Sequence, residues 1–260
     1  MCVSGKYHTF VYLSSFWIHA LMHVSMGRGK KKVGAGFWDR EYKKGDHLAI
    51  SVNPSEDMEK FLRWLERETG RACLNPTMSA LDLGCGNGRN LIHLGKTYNM
   101  RGVGYDISSQ AISQAKALST DLQLKYEVRS IAGDIALPDN SQMLVLDMMA
   151  SHVLTHVARA KLHSEVLRVL KPGGWYYLKT FLLDEDRNAK RLLKENPGKE
   201  EGSYIHPLIG VAEYVFSEED IISLVEQNFT IHKVLKSHRH LIKGAAAKRR
   251  SISIYAQKTI

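Results

Sequence analysis

Three glycines at alternate positions close an apolar run in Leu81-Asp82-Leu83-Gly84-Cys85-Gly86-Asn87-Gly88-Arg89-Asn90. Glycine lets a backbone turn sharply and approach a ligand with no Cβ in the way. A helix-like stretch follows, and a helix N-terminus offers N–H groups that have no partner within the helix. Strand, glycine turn and helix, in that order, form the first unit of a nucleotide-binding fold. Asp106 stands 22 residues after Gly84, at the end of the next apolar run, Gly102-Val103-Gly104-Tyr105-Asp106-Ile107-Ser108. A carboxylate at that place can accept hydrogen bonds from both hydroxyls of a ribose. The other role open to Asp106 is to cap the next helix, for which Ser108 is as good a candidate.

The dinucleotide fingerprint reads G-x-G-x-x-G. Here the third glycine comes one residue early, and Asp82 stands two residues before the first. Asp-x-Gly-x-Gly-x-Gly resembles motif I of the class I S-adenosylmethionine (SAM) dependent methyltransferases. The run 81–90 is most similar to their small-molecule branch, which includes tellurite-resistance-type enzymes. The resemblance covers residues 78–181. It implies SAM as cofactor, S-adenosylhomocysteine as product, and a cofactor shell of Asp82, Gly84, Cys85, Gly86, Asn87, Gly88, Asn90, Asp106 and Ile107. In Ala132-Gly133-Asp134-Ile135, it implies that Asp134 accepts the adenine amine and that Ile135 packs on the ring. A turn aspartate beside Gly133 is the competing role for Asp134. Lys171-Pro172-Gly173-Gly174 before an apolar strand also recurs in the family and marks the fold, not a site. Gln142-Met143 departs from the aromatic–Asp pair of many relatives, but only at the entry of its strand.

Transfer of a methyl group needs alignment above all. An alcohol, amine or carbon acid also needs a base, whereas a soft thiolate, tellurium or selenium nucleophile does not. The exit of the strand at 142–147 supplies Asp147 and Met148 where the sulfonium methyl should lie. His152 and His156 follow one helical turn apart. Asp147, His152 and His206 are the catalytic candidates, and each histidine has the competing role of a satisfied structural side chain. Long connections in compact domains are often functional, so 182–216 reads as a substrate lid, with Tyr204, His206 and Glu213 as its polar candidates. An ordinary surface excursion is the alternative. Trp38 and Tyr42, one turn apart behind the Gly- and Lys-rich 27–36, are expected to cover the cofactor.

The elements that must position these residues follow from periodicity. Strands are expected at 78–83, 101–106, 124–131, 142–147, 174–181, 229–236 and 251–258. Helices are expected at 37–44, after Ser55, and at 88–97, 109–119, 156–170 and 217–228. This alternation predicts an α/β fold with a seven-stranded, mostly parallel sheet covered on both faces. The last two strands, joined by a turn alone, should pair antiparallel at its edge. That is the Rossmann-like arrangement of the class I methyltransferases.

At 260 residues the chain is long enough for one such domain, expected over 36–260 behind an extension at 1–35. Its three scattered cysteines form neither a disulfide framework nor a metal site, which fits a cytoplasmic setting. The net charge of +9 sits at the ends, with seven Lys/Arg in 26–44 and eight in 231–260. Such ends can dock nucleic acid, through Lys248, Arg249 and Arg250 for example, or can serve solubility alone. Residues 10–26 are short for a membrane span and lack a clear cleavage site, so a start at Met26 is expected and a membrane anchor is the lesser reading. The expected partner is a small-molecule acceptor; the alternatives are a nucleic-acid or protein methyltransferase that uses the basic ends, or a non-catalytic SAM-binding module, and the expected assembly is a monomer or homodimer.

Overall fold

The computed structural model describes residues 34–44, 50–237, 241–242, 245–246 and 249–259. The expectations for residues 1–25 and for Lys248 lie outside them. The chain opens with α1 (Ala35–Lys44) and α2 (Glu56–Thr69), then runs β1 (Ser79–Leu83), α3 (Arg89–Tyr98), β2 (Arg101–Asp106), α4 (Ser109–Ala117) and β3 (Leu124–Val128). Next come β4 (Gln142–Met148), a 3-10 turn (Ser151–Val153), α5 (His156–Val169) and β5 (Leu170–Phe181). The remainder is α6 (Arg187–Glu195), β6 (Ser203–Ile205), β7 (Ala212–Tyr214), α7 (Glu218–Glu226), β8 (Phe229–Lys236), β9 (Leu241–Ile242), β10 (Ala245–Ala246) and β11 (Ser251–Lys258).

Seven strands form one sheet in the order β3-β2-β1-β4-β5-β11-β8. The neighbours from β3 to β5 pair in parallel, and β11 inserts antiparallel between β5 and β8. The expected sheet and its antiparallel final pair are therefore present. Side chains alternate across it as a pleated strand requires. Val145, Tyr176 and Leu178 pack on the α5 and α7 side with Leu162, Val166, Ile221 and Val225. Leu144, Leu146, Trp175 and Tyr177 face the other way, toward Met58, Phe61, Leu65 and Leu91. Ser55 caps α2 by accepting from Met58 N at 3.1 Å, as the sequence suggests.

Two boundaries differ from expectation. β3 stops at Val128, and the next residues, Arg129 to Ile131, leave the sheet to line a cleft. β5 begins at Leu170, which pairs with Gln142 ahead of a register shift, so Pro172 and Gly173 lie within an irregular strand entry. The connection 182–216 is also not a bare loop. It contains α6, N-capped by Asp186, and the β6–β7 pair, with Ala189, Leu192, Tyr204 and Val215 packed on Phe181.

The loop after β3 is held from α5. Arg168 donates to Ile135 O at 2.7 Å, Leu137 O at 2.9 Å and Glu165, while Glu165 accepts from Ile135 N at 2.8 Å. The Arg168 guanidinium holds the Glu165 carboxyl down at about 2. A carboxylate held low contributes stability above its ordinary range and loses it as pH falls toward the folded value. Arg168→Ala is expected to cost about 1.5–3 kcal/mol, because two carbonyls and a carboxylate lose a charged donor. Glu165's share of the stability should then disappear between about pH 4.5 and 2 in the native protein only. Thermal melts at pH 7 and pH 3 check both; identical melts at pH 7 would contradict the role.

Candidate active site

The parallel strands end on one side of the sheet, and their order fixes the order of groups along a cleft there. Arg129, Ser130 and Ile131 follow β3, Asp106 and Ile107 end β2, and Asp82 to Asn87 end β1. Met148 ends β4; Met149, Ala150, His152, Val153 and Leu154 follow it, and Glu213 from β7 lines the same space. Trp38, Tyr42, Ile50 and Ser51 complete the wall of this space, which is about 260 Å3.

The turn after β1 needs its glycines. Gly84 has φ +70°, and a Cβ there would fall 2.6 Å from the Cβ of Ala150. Gly86 has φ +57°, and a Cβ there would run into the Tyr42 hydroxyl. Asp106 organises the same turn: its carboxylate accepts from Gly86 N at 2.9 Å and Ser108 N at 2.8 Å. Ser108, not Asp106, caps α4, accepting from Ala111 N at 3.1 Å. Asn87 donates to Ser51 O at 3.0 Å and so ties the segment before α2 to the turn. Asn90 accepts from Ser55 N at 3.3 Å and donates to Met148 Sδ at 3.4 Å. The Cys85 thiol is buried, and burial pushes its pKa well up, which leaves it an inert space-filler. α1 reaches over from the side, where Asp39 accepts from Ser108 Oγ at 2.8 Å and Gln110 N at 3.2 Å.

Asp82 lies at the floor, 1% exposed, and its Oδ2 has no hydrogen-bond partner among the described residues. Burial, with Asp106 and Asp147 nearby, pushes its carboxyl up to about 8 against the opposing pull of Arg89. At neutral pH the acid is therefore mostly protonated, and a cation in the cleft would ionise it. Binding of a cationic ligand should then release a proton and strengthen as pH rises from 6 to 8, levelling off above that. Calorimetry in buffers of different ionisation heat reads this directly. A pH-independent affinity with no proton release would contradict it.

The structure brings together Trp38, Tyr42, Asp82, Gly84, Cys85, Gly86, Asn87, Asn90, Asp106, Ile107, Met148 and His152. Six of the expected residues stand elsewhere. Gly88 (φ +77°) starts α3, and a Cβ there would strike the Tyr126 hydroxyl at 2.6 Å, so its role is packing. Asp134 is exposed and pairs with Lys161 at 2.6 Å. Ile135 belongs to the core beneath α5. Asp147 is fully buried and accepts from Ser151 N at 3.0 Å, Ala150 N at 3.3 Å and the Tyr176 hydroxyl at 3.2 Å, which makes it the anchor of the next turn. His206 folds back on its own turn, with Nδ1 accepting from Leu208 N at 3.3 Å. His156 is exposed and meets Arg159 through Nδ1 at 3.0 Å.

Sequence reasoning missed Ile50, Ser51, Arg89, Arg129 to Ile131, Met149, Ala150, Val153 and Leu154 as lining residues. Arg89 directly follows the last glycine, and Met149 to Leu154 directly follow β4. Position alone could have nominated both. The basic C-terminal stretch needs a further correction. Arg249 lies inward on the Phe181 ring and pairs with Asp186 at 3.0 Å; Arg250 reaches Glu185 at 3.6 Å. Neither is posed for phosphates. No helix among the described residues is long and apolar enough to cross a membrane.

Residues 80–174 match a family model described as a methyltransferase domain. Over that stretch the chain is similar to methyltransferase domains. It is similar to the 2-methyl-6-phytyl-1,4-hydroquinone methyltransferase of Synechocystis, with 28% identity over 73% of this chain and 62% of that protein. It is also similar to a fatty-acid O-methyltransferase of Mycolicibacterium smegmatis, with 25% identity over 54% and 50%. The chain thus spans less than two thirds of the length of either curated relative. Among solved structures, a SAM-dependent methyltransferase of Methanosarcina mazei superposes with a TM-score of 0.62 at 23% identity, covering 72% of this chain and 95% of that one. The N-methyltransferase NodS of Bradyrhizobium japonicum, solved with S-adenosylhomocysteine, gives a TM-score of 0.60 at 15% identity, with 86% and 97% covered. These structures share the methyltransferase fold.

The cleft holds the groups that a cationic adenosyl ligand such as SAM would need. A carboxylate, Asp106, is set at the end of β2. A buried acid with an unpartnered oxygen, Asp82, lies at the floor, and the glycine turn allows close approach.

Proposed function

We propose that the chain is a SAM-dependent methyltransferase acting on a small-molecule acceptor. The observation that carries this reading is the single cleft shared by the glycine turn, Asp106 and the buried Asp82. Asp106 would hold the ribose hydroxyls, with Ile107, Ser130 and Ile131 around the base. Asp82 would answer the positive charge of the methionine part, and Trp38 and Tyr42 would cover it. SAM supplies an electrophilic sulfonium methyl. The residues of this chain bind, orient and exclude water, the main contribution when the leaving group is already activated. The small acceptor is supported by relatives named for a hydroquinone and a fatty acid.

Calorimetry of the protein with SAM, S-adenosylhomocysteine and NAD tests the reading. Binding of both adenosyl ligands with no response to NAD is expected. Absence of S-adenosylhomocysteine binding, or tighter NAD binding, would overturn it.

A further inference from the structure

α6 lines no part of the cleft, and its outer face is ordered by charge. Arg187, Lys190, Arg191 and Lys194 recur at i, i+3, i+4 and i+7, which puts them on one stripe of the helix, and all four are exposed. The other face, with Ala189 and Leu192, is buried on Phe181 and Tyr204. Glu195 answers Arg191 at 2.7 Å. Of the flanking acids, Asp186 is held by Arg249, Glu185 meets Arg250, and Asp184 accepts from Glu218 N. Glu200 accepts from His156 N and the Tyr214 hydroxyl. Arg187, Lys190 and Lys194 have no ion-pair partner among the described residues.

This stripe stands on the cleft side of the sheet. β5 runs parallel to β4, so α6 follows from the same carboxyl edge, and its inner face shares a core with Met149 of the cleft wall. Apolar side chains are exposed along that edge. Ile205, 37% exposed, is joined to the end of α6 through its N–H on Asn196 O. Val157, 81% exposed, lies in the first turn of α5, which Glu200 holds at His156 N. Ile50 is exposed in the cleft wall itself, and Val52 stands two residues on at 62%. Exposed aliphatic side chains are ordinary when scattered singly. Here they gather at the edge that also carries an unanswered row of cations. The phosphates of a nucleic acid would answer the cations and gain nothing from Val52 or Val157. An anionic lipid surface answers both, since its headgroups attract Lys and Arg and its headgroup–acyl boundary takes apolar side chains.

We propose that the α6 face docks this protein on an anionic phospholipid surface, with the carboxyl edge of the sheet turned toward the lipid. The helix lies on the surface and does not enter it, because its own apolar face is already buried on Phe181 and Tyr204. Attraction between exposed charges falls with salt, so the docking is reversible. The proposal goes beyond the methyltransferase reading and does not depend on what the cleft binds.

The test is co-sedimentation of the full chain with vesicles of phosphatidylcholine alone and of phosphatidylcholine mixed with phosphatidylglycerol, at low and high salt. The native protein should sediment with the anionic vesicles at low salt and be released at high salt. Lys190→Glu combined with Lys194→Glu should weaken that binding about tenfold or more. Lys116→Glu combined with Lys125→Glu makes the same change of charge at two exposed positions on the opposite edge, in the last turn of α4 and at the start of β3, and should leave binding within about twofold. Val157→Ser should weaken it about threefold through lost apolar contact. Both charge variants should melt like the native protein. If the α6 pair melts early, Lys190→Gln with Lys194→Gln takes its place, with the same direction expected. No binding to anionic vesicles at low salt would overturn the proposal. So would equal weakening by the two charge pairs, which would reduce the effect to net charge, or an unchanged affinity in Val157→Ser. A DNA duplex or RNA hairpin bound more tightly than the vesicles through Lys190 and Lys194 would make the face a nucleic-acid site and overturn it as well.

Discussion

Asp147→Ala is expected to lower the unfolding midpoint by roughly 5–15 °C, from a loss of about 2–5 kcal/mol. The side chain is fully buried and accepts three hydrogen bonds, from Ala150 N, Ser151 N and the Tyr176 hydroxyl. Alanine removes every acceptor and leaves three donors stranded in a dry interior, each of which costs more than the bond was worth. Asparagine should recover at least half of the loss. Its carbonyl can take the two N–H groups, and its amide can turn toward the Tyr176 oxygen. A base acting on substrate would behave differently: kcat would fall in both variants while the melting curve stayed in place. A native-like melt for Asp147→Ala would refute the anchoring role. Because the anchored turn carries His152 and Val153 into the cleft, acceptor binding should fail with the fold rather than before it.

The contrast between Asp106 and Asp147 shows how far the sequence could be read. Both are acids at strand exits, and pattern alone treats them alike. They separate only through what comes next. After β2 the chain passes straight into α4 with Ser108 available as cap, which leaves Asp106 to the glycine turn and the cleft. After β4 it makes a 3-10 turn whose N–H groups fold back, and the nearest acceptor is Asp147. The sheet was legible because its strands are apolar runs separated by amphipathic helices and glycine turns. Its order could be expected from the parallel alternation and the closing pair. α6 is amphipathic, with Ala189, Leu192 and Leu193 at i, i+3, i+4 spacing, but it is short, highly charged and set inside a long connection, so the sequence reads there as a lid and not as a helix. Its stability comes from the Phe181 and Tyr204 surface, which forms only when β5, β6 and β7 meet. Arg249 shows the same limit. In sequence it belongs to a basic run, and only the fold reveals a buried aspartate beneath it.

Asp106→Ala should weaken S-adenosylhomocysteine binding by about 5- to 150-fold, equivalent to about 1–3 kcal/mol. The carboxylate stands between two tasks. It accepts from Gly86 N at 2.9 Å and Ser108 N at 2.8 Å, and its remaining lone pairs face the cleft, where the ribose hydroxyls would lie. Losing the first task loosens the empty turn, while losing the second removes contacts made only with ligand bound. Thermal melts with and without ligand separate the two. The unliganded variant should lose little, because Ser108 still caps α4 through Ala111 N. A ligand at a hundred times its dissociation constant adds about 2.7 kcal/mol to the native protein, and this increment should shrink sharply in the variant. Ser108→Ala is the matching control: it should cost about 1 kcal/mol of stability through the lost cap and leave the ligand-induced increment largely intact. If Asp106→Ala instead lowered the unliganded melt and kept the full increment, Asp106 would be a turn anchor like Asp147, and the ribose would have to be held elsewhere in the cleft.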